Sequence, residues 1–295
     1  MTPALLASSI RRFASSSATR RVVLDVTSLR EPSVAEFLKH WHASDGAPLL
    51  LRGVVDGWPL MRWTPSDLAA KFGDVVVPVE MTRGDADYRD AYDTSSGSYA
   101  DAEHGARSFV SGHEVPLGLF VECFMRTRGR EGGGDDDLRA YLAQHDLFES
   151  VPELEDACRP TPPYVGAGAM KRVWIGPANT KTPLHRDPYH NVLCQVWGKK
   201  KVICYHARDE SKLYPYPSGF LKNTSRVVDV DDDGGGGESE SGAYAEFPDF
   251  AAASRWEIAL DPGDALFLPA RTWHHVRSLT PSLSVSYWWG ESRIG

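Results

Sequence analysis

Three residues of this sequence have the types and spacing that could hold a catalytic metal ion. His185 and Asp187 lie two positions apart in TPLHRDPYHNV, which is typical of a β-strand, where residues two apart point to the same side. His274, in LPARTWHHVRS, is the best candidate for a third ligand from another strand. Two histidines and one carboxylate form the facial triad of non-haem Fe(II) oxygenases, which leaves coordination positions open. Zinc fits this set less well, because structural zinc sites are closed and usually contain thiolates.

Two further histidines compete for the same role. His190 follows Asp187 by three residues, and His275 is adjacent to His274. If the segment around His274 is extended, adjacent side chains point to opposite sides, so we expect only one of this pair to face the ion. A histidine and an aspartate two apart also occur by chance in many proteins, and a histidine beside aromatic residues commonly has a purely structural role.

A run of three lysines, residues 199–201, follows the turn at Gly198 and points to an anion beside the metal. A lysine on an inward face needs a counter-charge, because burying an unpaired ammonium is very costly. A dicarboxylate co-substrate would supply that charge to Lys200. Alternation does not decide which face is inward, because Ile203 and Tyr205 make the second face apolar too. The alternative interpretation is an exposed hairpin end.

The second half of the chain reads as a mainly β structure. From residue 172 onward, short runs rich in β-branched and aromatic residues recur without intervening helices. Turn signals such as Pro262-Gly263-Asp264 separate these runs. This pattern favours a closed sandwich or barrel.

The first half mixes helices with strands. Residues 33–42 and 64–73 predict helices, because each stretch opens with a serine or threonine cap. Residues 115–125 are apolar enough for a buried helix, and residues 138–148 predict a short helix or strand. The glycine-rich acidic stretches at 129–137 and 229–242 predict a linker and a solvated surface loop.

Composition excludes several classes of protein. Among 295 residues the net charge is −8, and no basic block interleaved with aromatics stands out, so we expect no nucleic-acid surface. A negative field suits a partner with a basic side chain. No window approaches 18 uninterrupted apolar residues, so we expect no membrane span. The four cysteines form no C-x-x-C pair and fit a reducing compartment.

The segment 1–21 has the composition of a targeting sequence. It contains four arginines and five serines and no acidic residue. Organelle transit peptides share this composition, which would place the protein in a mitochondrion or another organelle. A disordered tail is the alternative interpretation.

Beyond about residue 22, nearly the whole chain resembles the JmjC-domain oxygenases. The resemblance is carried in order by PLLLRGVVDGWP, VPVE, YLAQHDLFESVPEL, VWIGPANTKTPLHRDPYHNVLCQVWGKKKV, LYPYP, LKNTSRVVDV, FPDF, LDPGDALFLPARTWHHVRSL and SLSVSYWWG. It implies a mainly β double-stranded β-helix, or cupin-type jelly roll, with surrounding α-helices. Residues 22–140 would form an N-terminal α/β part packed on the barrel, and residues 141–295 the catalytic core. The relatives suggest the nucleus or the cytoplasm.

The resemblance also implies a set of site residues. Fe(II) would be held by His185, Asp187 and His274. The co-substrate 2-oxoglutarate would chelate the iron and contact Lys200, Tyr141, Thr182 and Asn191, with Trp174 and Trp288 lining the pocket. Glu80, in VPVE, matches an acidic position that faces the substrate's cationic side chain.

The implied reaction consumes O2 and 2-oxoglutarate and hydroxylates a side chain of a protein or peptide substrate, with arginine the leading expectation. Alternatives are lysine demethylation, hydroxylation of a modified tRNA base, and a non-catalytic cupin-like binding module. The sequence departs from the family pattern in the region DYRDAYDTSSG and in an expanded stretch at 229–242. Both departures concern the identity of the substrate and leave the metal chemistry unchanged.

Overall fold

The structure is a computed structural model that describes residues 22–83, 92–93, 98–99, 109–126, 138–228, 230–231 and 246–290. Four segments discussed above lie outside these residues, apart from short pieces: the segment 1–21, the region DYRDAYDTSSG, the linker 129–137 and the acidic stretch 229–242.

Strands dominate the described residues. The first eight are β1 Val23–Leu24, β2 Thr27–Arg30, β3 Leu49–Arg52, β4 Val76–Arg83, β5 Tyr92–Asp93, β6 Ser98–Tyr99, β7 Phe109–Pro116 and β8 Leu138–His145. The next eight are β9 Met170–Gly176, β10 Lys181–Arg186, β11 His190–Trp197, β12 Lys200–Tyr205, β13 Arg255–Leu260, β14 Ala265–Leu268, β15 Trp273–Ser278 and β16 Ser282–Trp289.

Helices are few and short. The α-helices are α1 Val34–Ala43, α2 Pro65–Phe72, α3 Leu117–Phe120, α4 Leu147–Ser150 and α5 Pro152–Ala157, and a π-helical turn, Val121–Met125, continues α3. Short 3-10 segments cover Pro59–Arg62, Ala207–Leu213, Phe220–Asn223 and Pro248–Ala252. No helix in this part of the chain has the length and apolar character to cross a membrane.

Two facing sheets form the barrel. The smaller has the order β1-β13-β12-β15-β10, and the larger has the order β2-β3-β14-β11-β16-β9-β8-β4-β7. Between β9 and β12 the chain alternates from sheet to sheet, and an apolar cluster that includes Leu193, Val202, Ile258 and Leu266 fills the space between them. This architecture confirms the expected mainly β fold of the cupin-type jelly roll with helices outside.

Both sheets are also covered on their outer faces. Helices α1 to α3 pack on the larger sheet, where alternate residues of β16 such as Val285 and Tyr287 point outward into the main core. The outer face of the smaller sheet carries Ile203 and Tyr205 under the segment that contains Phe250. Strand β12 is therefore buried on both sides, which explains why alternation alone could not identify its inward face.

The strands of the first half extend the larger sheet. Strand β4 pairs with β8, and β8 pairs with β9, so hydrogen bonding continues across residue 140. The two predicted helix starts are confirmed, since the Ser33 hydroxyl accepts from the Glu36 amide and Thr64 forms a capping box with Asp67. Local capping thus positions α1 and α2 against the sheet that carries half of the candidate site.

The turn between β11 and β12 depends on a glycine. Gly198 has φ +65°, and a Cβ there would lie 2.1 Å from the Pro281 carbonyl oxygen. This turn precedes Lys200, so its geometry sets the register that brings the lysine into the barrel.

We therefore expect Gly198→Ala to lower the free energy of unfolding by roughly 2–4 kcal/mol, because left-handed strain and overpacking add. Urea denaturation would measure the loss. Gly57→Ala is the matched control, because its Cβ would meet nothing within 4 Å, and it should change stability by less than about 0.5 kcal/mol. Equal effects of the two substitutions would contradict this account of the turn.

Candidate metal centre and ligand pocket

The structure brings His185, Asp187 and His274 together. His185 lies opposite His274 in the antiparallel pairing of β10 with β15, and Asp187 follows β10 directly. One ligand atom from each residue lies within 4.8 Å of the others. The Asp187 carboxylate oxygens are 3.9 Å from Nε2 of each histidine. Two atoms that each bind one ion at about 2.1 Å are at most about 4.2 Å apart, so the two distances between Asp187 and the histidines are compatible with one shared ion.

Backbone carbonyls orient both imidazoles. His185 Nδ1 lies 2.8 Å from the Pro183 carbonyl oxygen, and His274 Nδ1 lies 3.0 Å from that of Thr272. With the proton on Nδ1, the lone pair of each Nε2 faces the cluster, as metal-ligating histidines require. Burial, reinforced by the nearby His185, lowers the pKa of His274 to about 4 and keeps its ring neutral at pH 7.

The competing histidines have other partners. His190 Nδ1 accepts from the Ala270 amide at 3.0 Å, and its ring stacks on Phe267. His275 points away from the cluster and lies 3.2 Å from the Asp231 carboxylate. Alternation along β15 thus separates His274 from its neighbour, as expected for an extended segment.

Lys200 lies on the inward face of β12 and is buried, with 1% of its surface exposed. Burial alone lowers the pKa of its ammonium to about 7, and no carboxylate among the described residues pairs with it. Its Nζ lies 5.9 Å from the centre of the Tyr141 ring. A buried cation without a counter-charge is a preformed site for an anion.

Hydroxyl groups and aromatic rings surround this cation. Tyr141, on β8, is hydrogen-bonded to Thr182 on β10, and burial together with the charge of Glu80 raises its pKa. The Trp174 ring lies 5.9 Å from that of Tyr141 and 6.0 Å from that of Trp288. The approach of Tyr141 to β9 requires Gly176, where a Cβ would lie 2.6 Å from the ring.

Two buried polar atoms of this pocket have no hydrogen-bond partner within the described structure. They are Asn191 Oδ1 and Trp288 Nε1. Trp288 Nε1 and the Lys200 ammonium are both donors, so together they fit a small anion such as a dicarboxylate, whereas the Asn191 oxygen is an acceptor.

The six expected co-substrate residues and the three expected ligands all line one inner pocket. That pocket also contains Ser286, which sequence reasoning missed and which accepts a hydrogen bond from Trp174 Nε1 at 3.0 Å. The sequence did contain a signal for Ser286, because it lies two residues before Trp288 in the strand LSVSYWW and therefore points to the same side.

A wide outer cleft of about 1160 Å³ adjoins the inner pocket and shares its metal-facing wall. Glu80 lines this cleft, as the expected substrate-facing position requires, and pairs across the sheet with Tyr141. The remaining rim was not predicted and comes largely from Arg186, Glu210, Pro215, Tyr216, Phe220, Lys222, Asn223 and Arg271.

Comparison with known proteins assigns most of the chain to one family. The model of the "Cupin-like domain" family matches residues 34–293. The chain is 34% identical over 270 residues to lysine-specific demethylase 8 of Xenopus tropicalis. The matched region covers 90% of this chain and 52% of that protein. It therefore spans about half the length of that relative.

Two other relatives carry different descriptions. Jumonji C domain-containing protein 5 of Drosophila melanogaster is 32% identical over 273 residues, covering 90% of this chain and 60% of that protein. The human bifunctional peptidase and (3S)-lysyl hydroxylase JMJD7 is 25% identical over 310 residues, covering 96% of this chain and 89% of that protein.

If the three-residue cluster holds a divalent ion, removing one ligand should weaken binding strongly. We expect His185→Ala and Asp187→Ala each to lower Mn(II) affinity by more than about 100-fold, measured by electron paramagnetic resonance of the free ion. His190→Gln removes a nearby histidine outside the cluster and should leave the affinity unchanged. Equal losses in all three variants would contradict the assignment.

The isolation of Lys200 predicts how stability depends on pH. Its pKa is lower in the folded protein, about 7, than its ordinary value of 10.5, so the unfolded state binds more protons between these values. Stability from this group therefore rises with pH from about 7 to 10.5. We expect Lys200→Met to stabilise the ligand-free protein at pH 7 by an amount that shrinks toward pH 10. Chemical denaturation of both proteins across this range measures the difference, and a constant difference would contradict the burial of an unpaired ammonium.

Proposed function

This chain belongs to the family of cupin-like JmjC domains, and from that premise we propose that it is an Fe(II)- and 2-oxoglutarate-dependent dioxygenase that hydroxylates an arginine side chain of a protein. One observation carries the proposal. An open two-histidine, one-carboxylate cluster shares a pocket with a buried lysine that has no carboxylate partner among the described residues.

In this proposal each residue has a defined part. His185, Asp187 and His274 would hold Fe(II), which together with 2-oxoglutarate and O2 supplies the oxidising chemistry that replaces a C–H by a C–OH and leaves succinate and carbon dioxide. Lys200 would pair with the distal carboxylate of 2-oxoglutarate. Tyr141 and Thr182 would donate hydrogen bonds to that same carboxylate.

The remaining pocket residues orient the co-substrate and exclude water. The Trp288 indole and the NH2 group of the Asn191 amide would donate hydrogen bonds to oxygen atoms of 2-oxoglutarate, and the indole would thereby gain the partner that it lacks. Leu193, Leu268 and Val276 line the same pocket with apolar surface. Exclusion of water strengthens the pairing of Lys200 with a carboxylate, because the local dielectric is low.

Arginine is the proposed target because of the composition of the outer cleft. Glu80 supplies a carboxylate, and Tyr141, Trp174 and Trp288 supply aromatic surface beside the metal cluster. A guanidinium is planar, always charged and stacks on aromatic rings, so it suits this combination better than a compact ammonium does.

Lysine demethylation is the second candidate, and the names of the relatives favour it. The relative from Xenopus tropicalis is described as a lysine-specific demethylase. Hydroxylation of an N-methyl group would use the same metal and co-substrate residues. The two reactions therefore differ in their product and not in the residues proposed here.

The decisive experiment combines succinate production with mass spectrometry of the peptide product. Iron-reconstituted protein, 2-oxoglutarate and peptides containing arginine or N-methyl-lysine should give succinate together with a gain of one oxygen mass on arginine. Loss of a methylene mass from the methylated lysine would instead support demethylation. Turnover of 2-oxoglutarate should disappear in Lys200→Met.

Glu80→Gln separates substrate binding from metal chemistry. It should raise KM for the arginine peptide by about tenfold, since hydrogen bonds to charged groups contribute roughly 1.5–3 kcal/mol, while turnover of 2-oxoglutarate without peptide persists. Absence of succinate from metal-loaded protein with every peptide would reject the oxygenase and favour a non-catalytic binding module.

A further inference from the structure

Two unpaired cations stand at the mouth of the outer cleft. Lys222 and Arg271 both line this cleft, and both are exposed. Within the described structure neither side chain forms an ion pair. Of the two other cations that line this cleft, Lys181 and Arg186, Arg186 is neutralised by Glu210 at 2.7 Å. Lys222 and Arg271 therefore leave two positive charges available to a ligand.

These cations lie on opposite sides of the strand that presents the metal cluster. His185 pairs with Thr224 on one side of β10 and with His274 on the other. Lys222 precedes Thr224 by two residues, and the Arg271 amide donates to the Asp187 carbonyl oxygen at 2.8 Å. The two charges thus flank the point at which a target side chain would approach the metal cluster.

The backbone of Arg271 suggests that its side chain has a function. Arg271 has φ +67°, a left-handed conformation that glycine adopts without strain and that costs other residues about 1–2 kcal/mol. Strain at such a position points toward a functional role when the residue lies at a binding site. Here the strained position carries a guanidinium at the rim of the cleft.

The surroundings of the two cations fit a peptide better than a nucleic acid. Pro215, Tyr216 and Phe220 form an apolar stretch of the same rim, and 65% of Phe220 is exposed. A polyanionic backbone needs several phosphate contacts, whereas two unpaired cations suit a peptide that carries a single acidic residue.

We propose that Lys222 and Arg271 are specificity residues that select a peptide with an acidic residue close to the target side chain. This inference rests on the proposed function, because it names the sequence context of that substrate. Glu80 would bind the basic target side chain, and Lys222 and Arg271 would bind its acidic neighbour. Because the cleft would bind a positive charge at Glu80 and a negative charge at Lys222 and Arg271, it would also fix the direction of the bound peptide.

The test measures peptide binding independently of turnover. Fluorescence anisotropy of the metal-loaded protein with 2-oxoglutarate, under nitrogen, compares labelled arginine peptides in which one glutamate or one glutamine occupies successive positions around the arginine. We expect the glutamate peptide to bind roughly two- to fivefold more tightly for each cation engaged, with the difference reduced at high salt.

Substitutions assign the preference to individual residues. Lys222→Glu should reverse the preference, so that a lysine at the selected position binds more tightly than a glutamate. Arg271→Asn tolerates the left-handed backbone and should reduce the preference, while Arg271→Lys should retain it. Lys71→Gln is the matched control, because Lys71 is an exposed lysine over Trp63 and does not line the cleft.

The outcomes separate this inference from the proposed function. Retention of the glutamate preference in a protein that produces no succinate would support the inference and reject the oxygenase. Succinate production with no difference between glutamate and glutamine peptides, or with no peptide binding, would overturn the inference and leave the oxygenase in place. Tighter binding of single-stranded RNA than of every peptide would also overturn it.

Discussion

The pairing of β10 with β15 is the constraint on which the rest of the site depends. It places His185 opposite His274, and the same β15 pairs on its other edge with β12, where Lys200 lies opposite Ser278. One sheet therefore sets both the spacing of the candidate metal ligands and their separation from the buried ammonium. A slip of one residue in either pairing would turn every side chain of the strand to the other face. The closed barrel, covered on both sheet faces, opposes such slippage.

The interior of the barrel carries polar groups that the protein alone does not satisfy. Lys200, Asn191 and Trp288 are buried side by side with free hydrogen-bonding capacity, although apolar residues of the same size would stabilise the ligand-free protein. Ser284 in the same strand as Trp288 shows the contrast, since its hydroxyl donates to Gln195 at 2.6 Å. Buried atoms without a partner also occur elsewhere in the described residues, such as Trp197 Nε1 and Trp273 Nε1, so the distinguishing feature of the pocket is the unpaired ammonium of Lys200 beside Asn191 and Trp288.

Local signals in the sequence predicted some elements well. The caps at Ser33 and Thr64 predicted two helices because capping depends on residues within one turn. The helix expected over 115–125 begins only at Leu117, because the preceding residues pair with β4, a contact that no local pattern encodes. The sequence could not show which face of β12 points inward, because Ile203 on the outer face is buried by residues distant in sequence, such as Phe250.

The residues of the candidate site likewise fall into those that the sequence predicted and those that it did not. Alternation and family resemblance led to residues on regular strands, and the structure brings those residues into one pocket. Lys222 and Arg271 lie on a 3-10 segment and a turn, where neither periodicity nor a motif identifies a side chain as part of a cleft.

The burial of β12 and β16 on both faces also limits how this protein can diverge. A strand with solvent on one side has positions at which substitutions are nearly neutral, whereas every residue of β16 is buried. Tolerated substitutions are therefore expected mainly in the connecting segments, whose side chains contact solvent and the outer cleft. A lineage could change the sequences it recognises by altering a few rim residues while the barrel interior stays the same, so the reaction chemistry and the choice of partner can evolve separately.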